Sequence, residues 1–118
     1  MDAAVEIVVT GHHITGPDRY RSMVIAKLDR LDHLDRDVVR YDVELNHERN
    51  PRQAKSAQRV VITRHGGGPA LRAEATGVDL PAVLDDAVGK LEGRLRRRHD
   101  RRVRRSRSRW TTIETGQS

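Results

Sequence analysis

Between Arg94 and Arg109 the chain carries ten arginines and a single acid, Asp100. That stretch alone holds a formal charge of +9; the whole chain sums to +6, so the remainder carries −3. A nearly neutral body with its positive charge gathered at one end is the footprint of a polyanion binder. The cations are almost all arginine, whose planar fork grips a phosphate through two parallel hydrogen bonds. The chemistry on offer is phosphate contact. The competing reading is a solvated helix end with a basic tail that adheres to anything acidic, a membrane surface included; on charge, nucleic acid is the better fit.

Two further basic groups are candidates. Lys27 and Arg30 lie one helical turn apart, a spacing that also describes an ordinary exposed face. Asn46 to Lys55 carries His47, Arg49, Arg52 and Lys55, and is either a second RNA contact or a polar hairpin. Aromatic residues are scarce: Tyr20, Tyr41 and Trp110, with no phenylalanine. Single-strand readers stack bases on exposed rings, so recognition here should run through backbone and shape.

Other chemistry lacks its residues. With no cysteine, a disulfide framework, a thiolate zinc site and a cysteine nucleophile are excluded. His12 and His13 are adjacent, and no histidine or carboxylate spacing suits a metal. Asp85 and Asp86 point apart on a helix; Asp29, Asp32 and Asp35 read as a solvated face or as intrahelical charge partners. His65-Gly66-Gly67-Gly68-Pro69 joins two strands instead of opening a helix, so it is a hairpin turn and no phosphate cradle. No enzyme constellation, cofactor or small-molecule substrate is expected. No apolar run approaches the ~20 residues of a membrane span, and Met1-Asp2-Ala3-Ala4 does not begin a signal peptide. A cytoplasmic protein is expected.

These residues need elements to hold them. Val5 to Thr10 is short and β-branched, ending at Gly11, and reads as a strand. Pro17 sits where a first helical residue belongs, and Tyr20, Val24, Ile25, Leu28, Leu31 and Leu34 form one stripe of a helix reaching about His33. Val39, Tyr41, Val43 and Leu45 alternate with charged residues, as in a half-buried strand. Arg59 to Arg64 and Leu71 to Thr76 are the third and fourth strands. Asp79 is the predicted N-cap of the last helix, with Pro81 tolerated in its first turn. Its apolar stripe runs from Leu80 to Leu95. Arg98 and Arg102 continue that face, which predicts a basic arm running past the sheet. The chain divides into a domain over residues 1–105 and a flexible basic tail or linker over 106–118. The order β-α-β-β-β-α predicts an α+β fold: a two-layer domain with a four-stranded sheet and both helices packed on one face. Its first two strands should be parallel and the rest an antiparallel meander.

The segment Lys27-Leu28-Asp29-Arg30-Leu31 and the loop Gly11-His12-His13-Ile14 resemble ribosome hibernation-promoting factors and ribosome-associated inhibitors. The helix from Asp79 to Arg96 resembles theirs more closely still. Glu44 to Asn50 and Gln58-Arg59-Val60 are similar to the actinobacterial branch. The likeness spans roughly Val5 to Arg102, and its specificity lies in the ordered set of segments. It departs at Pro81, where the family commonly has tyrosine, and at Gly93, where many members are basic. The resemblance implies a domain on the small ribosomal subunit, in the channel used by mRNA and the tRNA anticodon ends. There it would contact ribosomal RNA and inhibit translation. It assigns RNA contact to Lys27, Arg30, Lys90, Arg94, Arg97, Arg98 and Arg101; Arg102 and Arg105 join them from the basic cluster. Long members pair ribosomes through a C-terminal domain that this sequence lacks, so a monomer is expected. The rival readings are a general double-stranded-RNA binder and a regulatory protein-interaction module.

Overall fold

Residues 5–14, 16–47 and 58–117 are described by the structure, a computed structural model, with side chains of the last helix described as far as Arg104. The β-branched run near the N-terminus forms β1 (Glu6–His12), and the alternating segment forms β2 (Val38–His47). β3 (Gln58–Gly66) and β4 (Leu71–Gly77) complete a four-stranded sheet in the order β1-β2-β3-β4. β1 runs parallel to β2, with Ile7 beside Tyr41 and Val9 beside Val43. β2, β3 and β4 are antiparallel neighbours. The two-layer arrangement read from the sequence is the one observed.

Strand alternation decides which face is covered. Tyr41, Val43, Leu45, Val60, Ile62, Ala73 and Ala75 are all buried on one face. They share a single core with Val24, Leu28 and Leu31 from the first helical region and Leu80, Val83, Leu84, Ala87, Val88, Leu91 and Leu95 from the last helix. Both helices therefore cover the same side of the sheet.

The first helix is shorter than its stripe suggested. A 3₁₀ turn spans Pro17–Tyr20, and α1 covers only Arg21–Asp29. Beyond it the backbone tightens: Leu31 N–H donates to the Leu28 carbonyl at 2.9 Å and Leu34 N–H to the Leu31 carbonyl at 2.9 Å. Residues three apart eclipse in such turns. Leu31 thus stays over Leu28 and is fully buried, a position the apolar stripe had assigned to a continuing helix.

The last helix, α2, spans Leu80–Gln117. Asp79 caps it as expected, its Oδ2 accepting the Ala82 N–H at 3.2 Å. A Cβ at Gly89 would meet no atom within 4 Å, so this glycine adds backbone freedom to the unfolded chain without a packing role. Gly89→Ala is expected to stabilise the fold by about 1 kcal/mol. Thermal denaturation should register it as a midpoint roughly 4–8 °C higher for a domain of this size.

Candidate nucleic-acid interface

Most candidates stand on α2, and its buried stripe orients the rest. With Leu84, Val88, Leu91 and Leu95 inward, positions 90, 94, 97 and 101 fall at spacings of four, three and four along one flank. Lys90 marks where that flank lies. Its Nζ donates to the Glu74 carbonyl at 3.0 Å, on the outer strand β4. Arg94, Arg97 and Arg101 are exposed, and none makes an ion pair among the described residues. Arg101 Nε reaches only the Arg97 carbonyl, at 3.4 Å.

Lys27 and Arg30 are placed differently. Lys27 Nζ lies 2.7 Å from Asp85 Oδ1. Arg30 sits 3.6 Å from Asp85 and 3.9 Å from Glu92. Glu92 also holds Arg96 at 2.9 Å along the helix. The Lys27 hydrogen bond, joined by the charges of Lys27 and Arg30, keeps the Asp85 carboxyl below its ordinary value. The helices do lie side by side. Lys27 and Arg30, however, are matched to acids of α2, on the flank away from Lys90 and β4.

Arg98 turns inward, and Arg102 reaches the same acid from an exposed position. Arg98 Nη2 donates to the Gly67 carbonyl and lies 3.3 Å from Asp37 Oδ2. Arg102 Nη1 lies 3.5 Å from the same oxygen. Asp37 also pairs with Arg64 at 2.7 Å. Arg64 is fully buried, and its fork grips Asp35 at 2.6 and 3.0 Å. Tyr41 Oη donates to Asp35 Oδ2 at 3.0 Å. A continuous polar chain thus links the core, from Tyr41 through Asp35, Arg64 and Asp37, to the arm. Burial works against the charge of Arg64, but Asp35 and Asp37 outweigh it and raise its pKa. Burial and the adjacent Asp35 push the Tyr41 phenol up. Burial opposes the charge of Asp37 too, yet Arg64, Arg98 and Arg102 together hold it below the usual carboxylate range.

Two expectations are corrected here. Asp35, read as part of a solvated helix face, is 2% exposed, because α1 ends at Asp29 and the following turns carry Asp35 inward. The arm also leaves the body later than expected: the Arg98 side chain is only 14% exposed, because the turn after β3 reaches up to meet it. Sequence reasoning missed this network, although one signal was present. Arg64 continues the inward alternation of Val60 and Ile62, so β3 had already aimed it at the core.

The glycine turn serves this junction. A Cβ on Gly66 would collide with the Asp37 carbonyl and come within 2.9 Å of Val38 Cα, both backbone atoms that cannot swing aside. Gly67 supplies the carbonyl shared by Arg64 and Arg98. Gly66→Ala is expected to cost roughly 1–3 kcal/mol by overpacking. Urea denaturation should show a lower midpoint with an unchanged slope.

The remaining candidates are only partly covered. Arg105 lies on α2 beyond the described side chains, and α2 continues past Ser106, where the tail was expected to begin. Asn46 and His47 end β2, with His47 Nδ1 2.9 Å from Gln58 Nε2. Arg49, Arg52 and Lys55 lie outside the described residues. Among the described residues no three metal-ligating side chains cluster, and no helix is long and apolar enough to cross a membrane.

The class is a two-layer α+β domain that carries an exposed basic flank on its last helix, with Arg98 and Arg102 of that helix tied to the sheet layer by partly exposed ion pairs at Asp37. The chain belongs to the Sigma 54 modulation protein / S30EA ribosomal protein family, whose model matches residues 7–103. It is 53% identical over 97 residues to the ribosome hibernation promotion factor of Mycobacterium tuberculosis. That match covers 82% of this chain and 44% of the relative, so the chain spans less than half of that protein's length. Among solved structures it is similar to the N-terminal domain of Thermus thermophilus Protein Y, with a TM-score of 0.65 at 28% identity, covering 82% of this chain and 98% of that one. A ribosomal subunit interface protein from Coxiella burnetii shares the fold, with a TM-score of 0.67 at 19% identity over 79% of this chain and 96% of that one.

Proposed function

We propose that this chain binds the small ribosomal subunit through phosphate contacts to ribosomal RNA, occupies the mRNA and tRNA channel, and so inhibits translation. It acts in the cytoplasm as a single folded unit, by occupancy and without turnover. The observation that carries this reading is the flank Lys90, Arg94, Arg97 and Arg101. Its three arginines are exposed and lack carboxylate partners among the described residues, on a helix that Asp37 holds at Arg98 and Arg102. Charge held in a rigid row can meet successive phosphates without first being ordered. The name of the mycobacterial relative agrees with it.

Cosedimentation with purified small subunits across a salt series tests the reading. With about four phosphate contacts, log affinity should fall against log salt with a slope near −3, at roughly 0.7 to 0.9 per contact. Binding should be stoichiometric and lost when mRNA and tRNA fill the channel. Displacement by any RNA duplex, or indifference to mRNA and tRNA, would instead mark a general duplex-RNA binder.

A further inference from the structure

Where the glycine turn meets the arm, Pro69, Leu71, Arg98, Arg101 and Arg102 line an open cleft of about 380 Å³. That is room for a phosphate with an attached sugar. One wall is apolar and the other is guanidinium. Within the cluster joined to this cleft, four arginines (Arg64, Arg98, Arg101 and Arg102) stand against two carboxylates, Asp35 and Asp37, leaving two positive charges uncompensated. Hydrogen-bonding capacity is also left over. Arg98 Nη1 is buried and has no partner among the described residues, and an unmade charged donor away from water is costly. Burial and the charges of Arg64 and Arg102 all press against the Arg98 cation.

The backbone makes room for two of these guanidiniums. Gly68 has φ +81, and a Cβ there would stand 3.1 Å from one Arg98 nitrogen and 3.8 Å from one of Arg102. Glycine meets both conditions: it adopts the left-handed conformation without strain, and it leaves room for the Arg98 and Arg102 guanidiniums beside the turn.

We propose that this cleft seats a phosphate group bearing two negative charges, such as the terminal phosphate of a free nucleotide. Arg101 and Arg102 are its donors, Arg98 adds its charge behind them, and Pro69 and Leu71 are the wall for the sugar. A dianion matches the uncompensated charge, whereas each phosphate of an RNA backbone carries one charge. Because Arg101 also belongs to the proposed RNA-contacting flank, an occupied seat weakens RNA binding by mass action.

Titration of the isotopically labelled full chain with inorganic pyrophosphate and with ADP, at fixed ionic strength, tests this by NMR. The expected result is one saturable site whose amide shifts concentrate at Gly67, Gly68 and Leu71. Arg101→Gln should weaken it about tenfold, the loss of one charge-assisted hydrogen bond, with the melting temperature unchanged. Arg72→Gln, the same charge loss on the open sheet face, should leave it intact. Shifts spread evenly over the arm, or reproduced by chloride, would overturn the seat. An oligoribonucleotide without terminal phosphates that fills it as tightly as pyrophosphate would overturn the dianion assignment. Ribosome binding that persists without a pyrophosphate site would sink the seat alone and leave the RNA-binding reading standing.

Discussion

Replacing Arg94, Arg97 and Arg101 together by glutamate is expected to lower affinity for small ribosomal subunits on the order of 100-fold or more at ~0.15 M salt. Each neutralised phosphate releases roughly 0.7 to 0.9 of a counterion, worth about fourfold to fivefold at that salt. Three lost contacts therefore multiply to about two orders of magnitude, and the reversed charges add repulsion. The salt slope should flatten by two to three in the same titration. The fold should survive, since all three side chains are exposed and without ion pairs among the described residues. Arg98 does not belong in such a variant: its guanidinium is held by Asp37 and Gly67, and its loss would mix an unfolding effect with a binding one. Removing Lys27 and Arg30 is the informative contrast. Their partners Asp85 and Glu92 already offset them, and exposed pairs contribute little to stability. A triple reversal that cosediments as the wild type does would exclude this flank as the contact surface.

Asp35→Ala is expected to destabilise the protein by about 3–5 kcal/mol, the range for removing one partner of a buried ion pair. The side chains of Asp35 and Arg64 are 1% and 0% exposed, so water cannot replace the lost carboxylate. Asp37 reaches Arg64 through a single nitrogen, and the Nε hydrogen bonds to Asp35 go unmade. Tyr41 loses its acceptor at the same time. Against a typical total stability of ~5–15 kcal/mol, a substantial unfolded population at 37 °C should follow, visible in urea denaturation. Adding Arg64→Met should restore a large part of the loss, because an apolar replacement of similar shape removes the stranded charge. If the double variant is no more stable than Asp35→Ala, the buried charge is not the source of the cost. The arm gives a second readout. With Asp35 gone, Asp37 is the one carboxylate left to Arg64, Arg98 and Arg102 in this network, so the arm is held less firmly and RNA affinity should fall even in the fraction that stays folded.

Much of the molecule was legible in the order of its residues. Alternation at Tyr41, Val43 and Leu45 marked a strand with one wet face, and Asp79 marked the start of α2. The three-and-four spacing of Leu84, Ala87, Val88, Leu91 and Leu95 named the buried stripe of that helix. The order of strands and helices pointed to the α+β architecture. These are local properties: side-chain period and capping chemistry act within a few residues. The excess of arginine was likewise a matter of composition.

What tertiary structure alone decided was the division of labour among the cations. The candidate cations divide into three groups: Lys90, Arg94, Arg97 and Arg101 on the outer flank, Lys27 and Arg30 against Asp85 and Glu92, and Arg98 and Arg102 against Asp37. No spacing announces that Asp37 lies beside residues 61 and 65 positions later in the chain. Nor does spacing reveal that α1 stops in time to turn Asp35 inward. The reason is physical. Whether an arginine is free to meet a phosphate depends on the carboxylates within about 4 Å of it, and only chain folding brings those together.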